Sequence, residues 1–128
     1  MLLSEPISFW GGVDPATGRI IDPRHPEHDR TVAGAVLLMT ESRGSSSSSS
    51  ILAECVRRGT APAAIGLRVA DPILAVGSVA AAELYGVSVP VVEVDGPTFE
   101  RIRDGEVVDI EADDDGSARV AVTPRSPR

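Results

Sequence analysis

The sequence predicts an α/β or α+β domain in which helices cross between buried strands. Two observations predict this class: three strongly apolar runs of strand length, and helical segments that separate them. A helix between two buried strands is the usual connection of a parallel pair. The length of 128 residues suits one domain. We expect that domain to span residues 1–123, with residues 124–128 as a disordered tail.

The first thirty residues predict two short strands and an irregular loop. An apolar run at 7–10 ends at a Gly-Gly pair, and after a turn through Asp14 the chain can return as a strand at 19–21. The next segment is rich in proline and holds both histidines, which predicts a loop. His25 and His28 are interpreted as loop residues that pack or line a junction, because the proline between them disfavours the helix that would align them on a metal.

The central part predicts three buried strands and two helices. Near-continuous apolar runs are typical of strands buried on both faces. The predicted strands are 31–39, 61–69 and 87–94, and the predicted helices are 51–56, ending near Gly59, and 73–85, with Gly86 as its C-cap.

The C-terminal part predicts a short helix and a hairpin. The helix is expected at 98–103, and two segments of alternating polarity, 106–111 and 118–122, form the hairpin. The acidic cluster between them is interpreted as a solvated turn, because it lacks the closing glutamate of a calcium loop.

Composition excludes several function classes. The net charge of −7 repels phosphate backbones and anionic membranes, so nucleic acid and membrane are not expected partners. The apolar stretch 73–92 is interrupted by Glu83, Gly86 and Pro90, and it predicts a helix followed by a strand rather than a membrane span. The first ten residues lack the basic start of a secretory signal.

The sequence has one cysteine, Cys55, which cannot form an internal disulfide or hold a metal or an iron–sulfur cluster by itself. We expect a buried structural thiol and a reducing, cytoplasmic setting. Trp10 is the only tryptophan and is interpreted as a core or interface anchor.

Six consecutive serines at 45–50 follow Arg43 and Gly44. A flexible linker is the usual interpretation of such a run. Here it would leave 44 residues on its N-terminal side, too few to bury a core. The run is therefore predicted to join a buried strand to a helix within one domain.

A strand-to-helix junction of this composition suits an anion. The first backbone N–H groups of a helix lack intrahelical partners and, with the helix dipole, attract negative charge. Arg43 can clamp a carboxylate or phosphate, and Gly44 permits close approach of the backbone. A serine held there can also act as a base if its alkoxide is stabilised. From the residues alone, an ordinary capped helix and an anion-binding turn with a catalytic serine both stay open.

Several blocks of the sequence resemble the aconitase X swivel domain family. The opening Gly-Gly-Val-Asp-Pro-Ala-Thr-Gly-Arg-Ile-Ile-Asp at 11–22, the His-Pro at 25–26 and the Arg-Gly-Ser-Ser-Ser at 43–47 are similar to its motifs. The resemblance covers residues 4–92, and its later blocks are Ala-Pro-Ala-Ala-Ile at 61–65, then Gly77, Ala80 and Glu83, then 87–92.

The resemblance implies a swivelling β/β/α domain that serves as the small subunit of a hydro-lyase. It implies a large subunit as partner, in a heterodimer or higher assembly, and an iron–sulfur cluster on that subunit, with no cofactor bound by this chain. The substrate implied is a small hydroxy acid, cis-3-hydroxy-L-proline first and (R)-5-phosphomevalonate as the alternative. The Arg, Ala and Val content of the chain favours cis-3-hydroxy-L-proline.

The resemblance also implies roles for residues of the serine run. Ser45 is the expected proton acceptor, and Arg43, Gly44, Ser46 and Ser47 are expected to bind substrate. The family often has glycine where Ser48 stands and proline near Thr40, and the first departure leaves Ser46 or Ser47 open as the base. Two other functions remain: a non-catalytic anion-binding or interaction module, and a purely structural partner subunit.

Overall fold

The computed structural model describes residues 1–42, 47–69, 71–112 and 118–123. Its elements, in chain order, are α1 (Phe9–Gly12), β1 (Val36–Met39), α2 (Ser47–Arg58), β2 (Ala64–Leu67), α3 (Pro72–Tyr85), β3 (Val91–Glu93), α4 (Gly96–Arg101), β4 (Val107–Ala112) and β5 (Ala118–Thr123).

The first three strands form a parallel sheet in the order β1-β2-β3. Leu37 pairs with Ile65, and Gly66 pairs with Val92. Helix α2 connects β1 to β2, and α3 connects β2 to β3, so both connections are helical crossovers. Strands β4 and β5 form a separate antiparallel hairpin. The predicted α/β class and hairpin are confirmed.

Both faces of the parallel sheet are covered. One core cluster joins Leu37 and Ile65 of the sheet to Leu52 of α2 and Leu74 of α3. On the other face a second cluster joins Leu38 and Val94 to Ile102 and to Val108 of the hairpin, among others. Adjacent strand residues thus enter opposite clusters, as the period of two in a strand requires. The interpretation of the first two apolar runs as strands buried on both faces is confirmed.

All three predicted strands are too long. The run at 31–39 contains Gly34, whose φ of 72° turns the chain, so β1 begins only at Val36. Proline cannot donate to a strand ladder, and β2 and β3 begin after Pro62 and Pro90.

The N-terminal strand prediction is wrong in its first half. Residues 9–12 form the single turn α1, in which Gly11 has a φ of 79°. The return at 19–21 is limited to isolated bridges, from Ile20 to Val13 and from Arg19 to Thr31. Phe9 and Ile20 are both buried, so this segment contributes to the core without forming a regular pair of strands.

The long apolar stretch at 73–92 forms helix α3 and then the start of the short strand β3, as predicted. Helix α3 ends at Gly86, which has a φ of 71° and donates its N–H to the carbonyl oxygen of Ala82. In the part of the chain that the structure describes, no helix has the length and apolar character needed to cross a bilayer.

Candidate functional site

The carboxyl edge of the parallel sheet gathers the starts of three helices. Strands β1, β2 and β3 end at this edge, and α2, α3 and α4 begin there. In open α/β sheets, ligands bind outside the carboxyl ends of the strands. The described serines of the run, Ser47–Ser50, are the first residues of α2 and therefore lie at this edge.

The last four serines of the run form the first turn of α2, which begins at Ser47. For the described serines, Ser47–Ser50, the predicted helix start between two strands is confirmed, because α2 connects neighbouring strands of one sheet. Of the predicted site residues, Ser47 is described by the structure. Arg43, Gly44, Ser45 and Ser46 lie outside the described residues.

Ser48 is turned toward the protein interior. Its side chain is 2% exposed, and its hydroxyl oxygen lies 3.4 Å from that of Ser8. The Ser8 hydroxyl donates to the carbonyl oxygen of Trp10 at 3.0 Å, so its single proton is engaged. Ser48 is therefore the donor to Ser8, and the contact fixes the first turn of α2 against α1. This buried position makes Ser48 a packing residue.

Gly77 lets α3 approach the start of α2 closely. A Cβ atom at this position would lie 2.8 Å from the carbonyl oxygen of Ser49 and 2.9 Å from its Cα. Contacts this short are not found between real Cβ atoms and backbone, so only glycine fits here. The crossing of the two helices thus sets the position of the serine turn.

Asp71 ties the incoming end of the serine segment to the start of α3. Its carboxylate accepts the backbone N–H of Ile73 at 2.8 Å as the N-cap of α3, and it also accepts the hydroxyl of Ser42. Ser42 is the last described residue before Arg43. The role of Asp71 was not predicted from the sequence, although the Asp-Pro pair at 71–72 is a typical helix start.

Charged groups of both signs stand at this edge. Arg68 donates to the carbonyl oxygen of Val94 at 3.1 Å, which holds its guanidinium near the start of α4. Asp95, the N-cap of α4, accepts the N–H of Thr98 at 2.8 Å. Hydrogen bonding to Thr98, and secondarily the charge of Arg68, lower the pKa of Asp95. The described edge thus combines a cation with capping carboxylates.

A cleft of about 230 Å³ opens beside these groups, between the start of α3 and the end of β3. Leu67, Ala75 and Val91 contribute its apolar wall, and Asp71 and Glu93 its carboxylates. Two carboxylates oppose the binding of an anion in this cleft.

The histidines do not form a pair. His25 is buried, its Nε2 lies 2.9 Å from the carbonyl oxygen of Glu5, and its Nδ1 accepts the N–H of Glu27 at 3.1 Å. His28 is exposed. The packing interpretation of His25 is confirmed. Within the described ranges, no group of three or more His, Cys, Asp or Glu side chains could hold a metal ion.

Two further predictions have clear outcomes. Asp14 is a turn residue, as predicted, because its carboxylate accepts the N–H of Ala16 at 3.0 Å. A core position for Trp10 is wrong: the side chain is 61% exposed, because the turn at Gly11 directs it outward while Phe9 fills the core.

Cys55 lies on the buried face of α2, fully buried in the core cluster, and burial raises the pKa of its thiol. Because the thiolate is the reactive form, we expect alkylation of the native chain by iodoacetamide at pH 8 to be at least about tenfold slower than alkylation of the urea-unfolded chain. Mass spectrometry over time measures both rates. Equal rates would contradict the buried position.

The sequence and the structure are similar to known proteins. A sequence profile for the aconitase X swivel domain matches residues 1–120. Cis-3-hydroxy-L-proline dehydratase from Pseudomonas aeruginosa is 48% identical over 85 residues, which are 66% of this chain and 15% of that protein. The phosphomevalonate dehydratase small subunit from Methanothermobacter thermautotrophicus is 46% identical over 81 residues, 63% of this chain and 62% of the relative. The matched part of this chain spans less than two thirds of either relative.

The fold has a solved counterpart. The holo form of aconitase X from Thermococcus kodakaraensis superposes with a TM-score of 0.75 and 26% sequence identity, over 97% of this chain and 86% of that one. The similarity extends over both the parallel sheet and the helices that cross it, which confirms the predicted swivel-type α/β domain.

Proposed function

The chain belongs to the aconitase X swivel domain family, and from this we propose that it is the small subunit of a dehydratase whose active site is completed by a large subunit. One observation carries the proposal: the serine run leads directly into α2 at the carboxyl edge of the sheet. A two-subunit assembly follows from the names of the relatives, and we propose a heterodimer or a higher assembly built from it.

The proposed chemistry removes water from a β-hydroxy acid. The substrate carboxylate or phosphate docks near Arg43 and the backbone amides that begin α2, where the helix dipole favours negative charge. The Ser45 hydroxyl, as alkoxide, takes the proton α to the carboxylate, and the β-hydroxyl leaves as hydroxide. The hydroxide takes up the proton that Ser45 removed, which forms water and restores the alkoxide. Gly44 keeps the backbone free of a side chain at the point of closest approach.

Burial of Ser48 against Ser8 argues against Ser48 as the base. Ser45 remains the proposed base, with Ser46 or Ser47 as the alternatives if the register of the run is shifted. The other two of these three serines would contact the substrate.

We propose that an iron–sulfur cluster, which the resemblance to the family implies, lies on the large subunit. Clusters need several thiolate ligands, and Cys55, the single cysteine, is buried in the core. A bound cluster would supply a Lewis acid for the leaving hydroxyl. This chain would supply the anion site and the base.

We propose cis-3-hydroxy-L-proline as the first substrate to test and (R)-5-phosphomevalonate as the second. Both carry a carboxylate and a β-hydroxyl, so the same proton and the same leaving group are within the proposed chemistry. They differ in charge, because only (R)-5-phosphomevalonate carries a phosphate. An enzyme for that substrate therefore needs a second anion site, for the phosphate, in addition to the site for the carboxylate.

Reconstitution tests the proposed function. The purified chain is mixed with the large subunit encoded in the same organism, and the dehydrated product of each substrate is followed by mass spectrometry. Turnover that requires both proteins supports the proposal. A chain that binds phosphate or acetate without forming any complex is an anion-binding module, and an active complex in which alanine replaces every serine of the run makes the chain a structural subunit. Either result contradicts the proposal.

A further inference from the structure

Helix α3 is apolar around its whole circumference. Its first eleven residues, 72–82, contain no charged side chain. One face packs on the core through Leu74, Gly77, Ser78 and Ala81. On the opposite face, Val76 is 63% exposed and Val79 is 60% exposed. A helix that is hydrophobic on every side is normally buried on every side, so this face is expected to be covered.

Exposed and half-buried residues form a continuous stripe along the helix, here called the α3 stripe and defined as Pro72, Ala75, Val76, Val79 and Ala80. They line one shallow groove, which ends at Glu83. Leu84, eight positions after Val76 and therefore on the same side of the helix, is 70% exposed and extends the apolar surface. Contiguous apolar patches of this kind mark interaction sites.

The α3 stripe is continuous with the serine turn. A second groove is lined by Ser49 of α2 together with Pro72, Ile73 and Val76. Pro72 and Val76 belong to both grooves, so the apolar surface runs from α3 to the first turn of α2 without a break. A protein that closes over the serine turn must therefore also meet the stripe.

We propose that the α3 stripe is the surface on which the large subunit docks. This inference rests on the proposed function, which brings the large subunit to the serine turn. A second copy of the chain is the less suitable occupant, because two molecules of net charge −7 repel each other. The large subunit thus buries an apolar helix face and reaches the catalytic turn in one contact surface.

Variants of the stripe test this inference. In the double variant Val76→Glu/Val79→Glu, both positions are exposed and glutamate has a better helix propensity than valine, so the fold is retained. Val107→Glu is the matched control, since Val107 is 59% exposed and lies on the hairpin strand β4. Circular-dichroism melting checks that all three proteins are folded.

Isothermal titration calorimetry with the purified large subunit measures the affinities. The double variant is expected to bind about 30-fold more weakly than the native chain, because charges enter an apolar contact, and the Val107 variant to bind within about threefold. Equal affinity of the double variant in an active complex overturns the inference and leaves the proposed function standing. The opposite outcome is also possible: the double variant binds the large subunit more weakly, but the complex of the native chain dehydrates neither substrate. That result supports the inference and contradicts the proposed function.

Sedimentation velocity of the native chain by itself tests the other occupant. A monomer supports docking of the large subunit. A dimer that the double glutamate variant dissociates assigns the stripe to self-association and overturns the inference.

Discussion

Replacing Ser45 with alanine is expected to lower kcat of the reconstituted dehydratase by about 10²–10⁴-fold, the usual contribution of a positioned general base. Assembly of the complex should be unchanged, because the substitution removes one hydroxyl and leaves the described packing of α2 on α3 in place. Steady-state kinetics with saturating large subunit measure kcat, and gel filtration verifies the complex.

Single alanine variants along the run supply the controls. Ser50→Ala alters an exposed hydroxyl in the first turn of α2 and should retain near-normal turnover. Ser48→Ala should lower stability through loss of the contact with Ser8, with a modest effect on kcat. A large loss at Ser46 or Ser47 instead of Ser45 moves the base along the run. Near-normal kcat in all of these variants would remove the run from the chemistry.

Gly77→Ala is expected to destabilise the chain by about 1–3 kcal/mol, as overpacking does at tight contacts. Alanine is the better helix former by about 1 kcal/mol, so the substitution would stabilise an unconstrained helix. Here the added Cβ atom meets the backbone of Ser49, which cannot rotate away as a side chain could. Urea unfolding of the isolated chain measures the change, and the displaced serine turn should also lower kcat in the complex.

Glu83→Ala is the matched substitution on the same helix. Glu83 is exposed, so its replacement should change stability by less than about 0.5 kcal/mol. A Gly77→Ala chain as stable as the native one would show that α2 and α3 do not cross as closely as described.

The fold was predictable because its signals are local. Three apolar runs with helices between them indicate a parallel sheet, and Gly86 marks the end of α3 from its own conformation. Strand boundaries were less accessible. Gly34, Pro62 and Pro90 each shorten a strand, and a count of apolar residues does not register them. The short turn α1 was missed because two of its four residues, Trp10 and Gly11, leave the helical conformation, and so short a turn has no periodicity.

The candidate site was only partly predictable. The serine run predicts a helix start, but the residues that hold this segment in place come from distant parts of the chain. Ser8 contacts Ser48, Asp71 accepts the hydroxyl of Ser42, and Gly77 packs against Ser49. Such pairs leave no pattern in a single sequence. The exposure of one side of α3 was also not predictable, because an apolar helix between buried strands predicts burial on all sides.

Hydrogen–deuterium exchange at the start of α2 tests the central claim most directly. The first amides of a helix lack intrahelical partners and exchange quickly unless a ligand binds them. In the two-subunit complex, saturating hydroxy acid should slow the exchange of amides 44–50, while those of the hairpin strand β4 keep their rates. An active complex in which substrate leaves amides 44–50 unchanged would contradict the assignment of the anion site to this helix start.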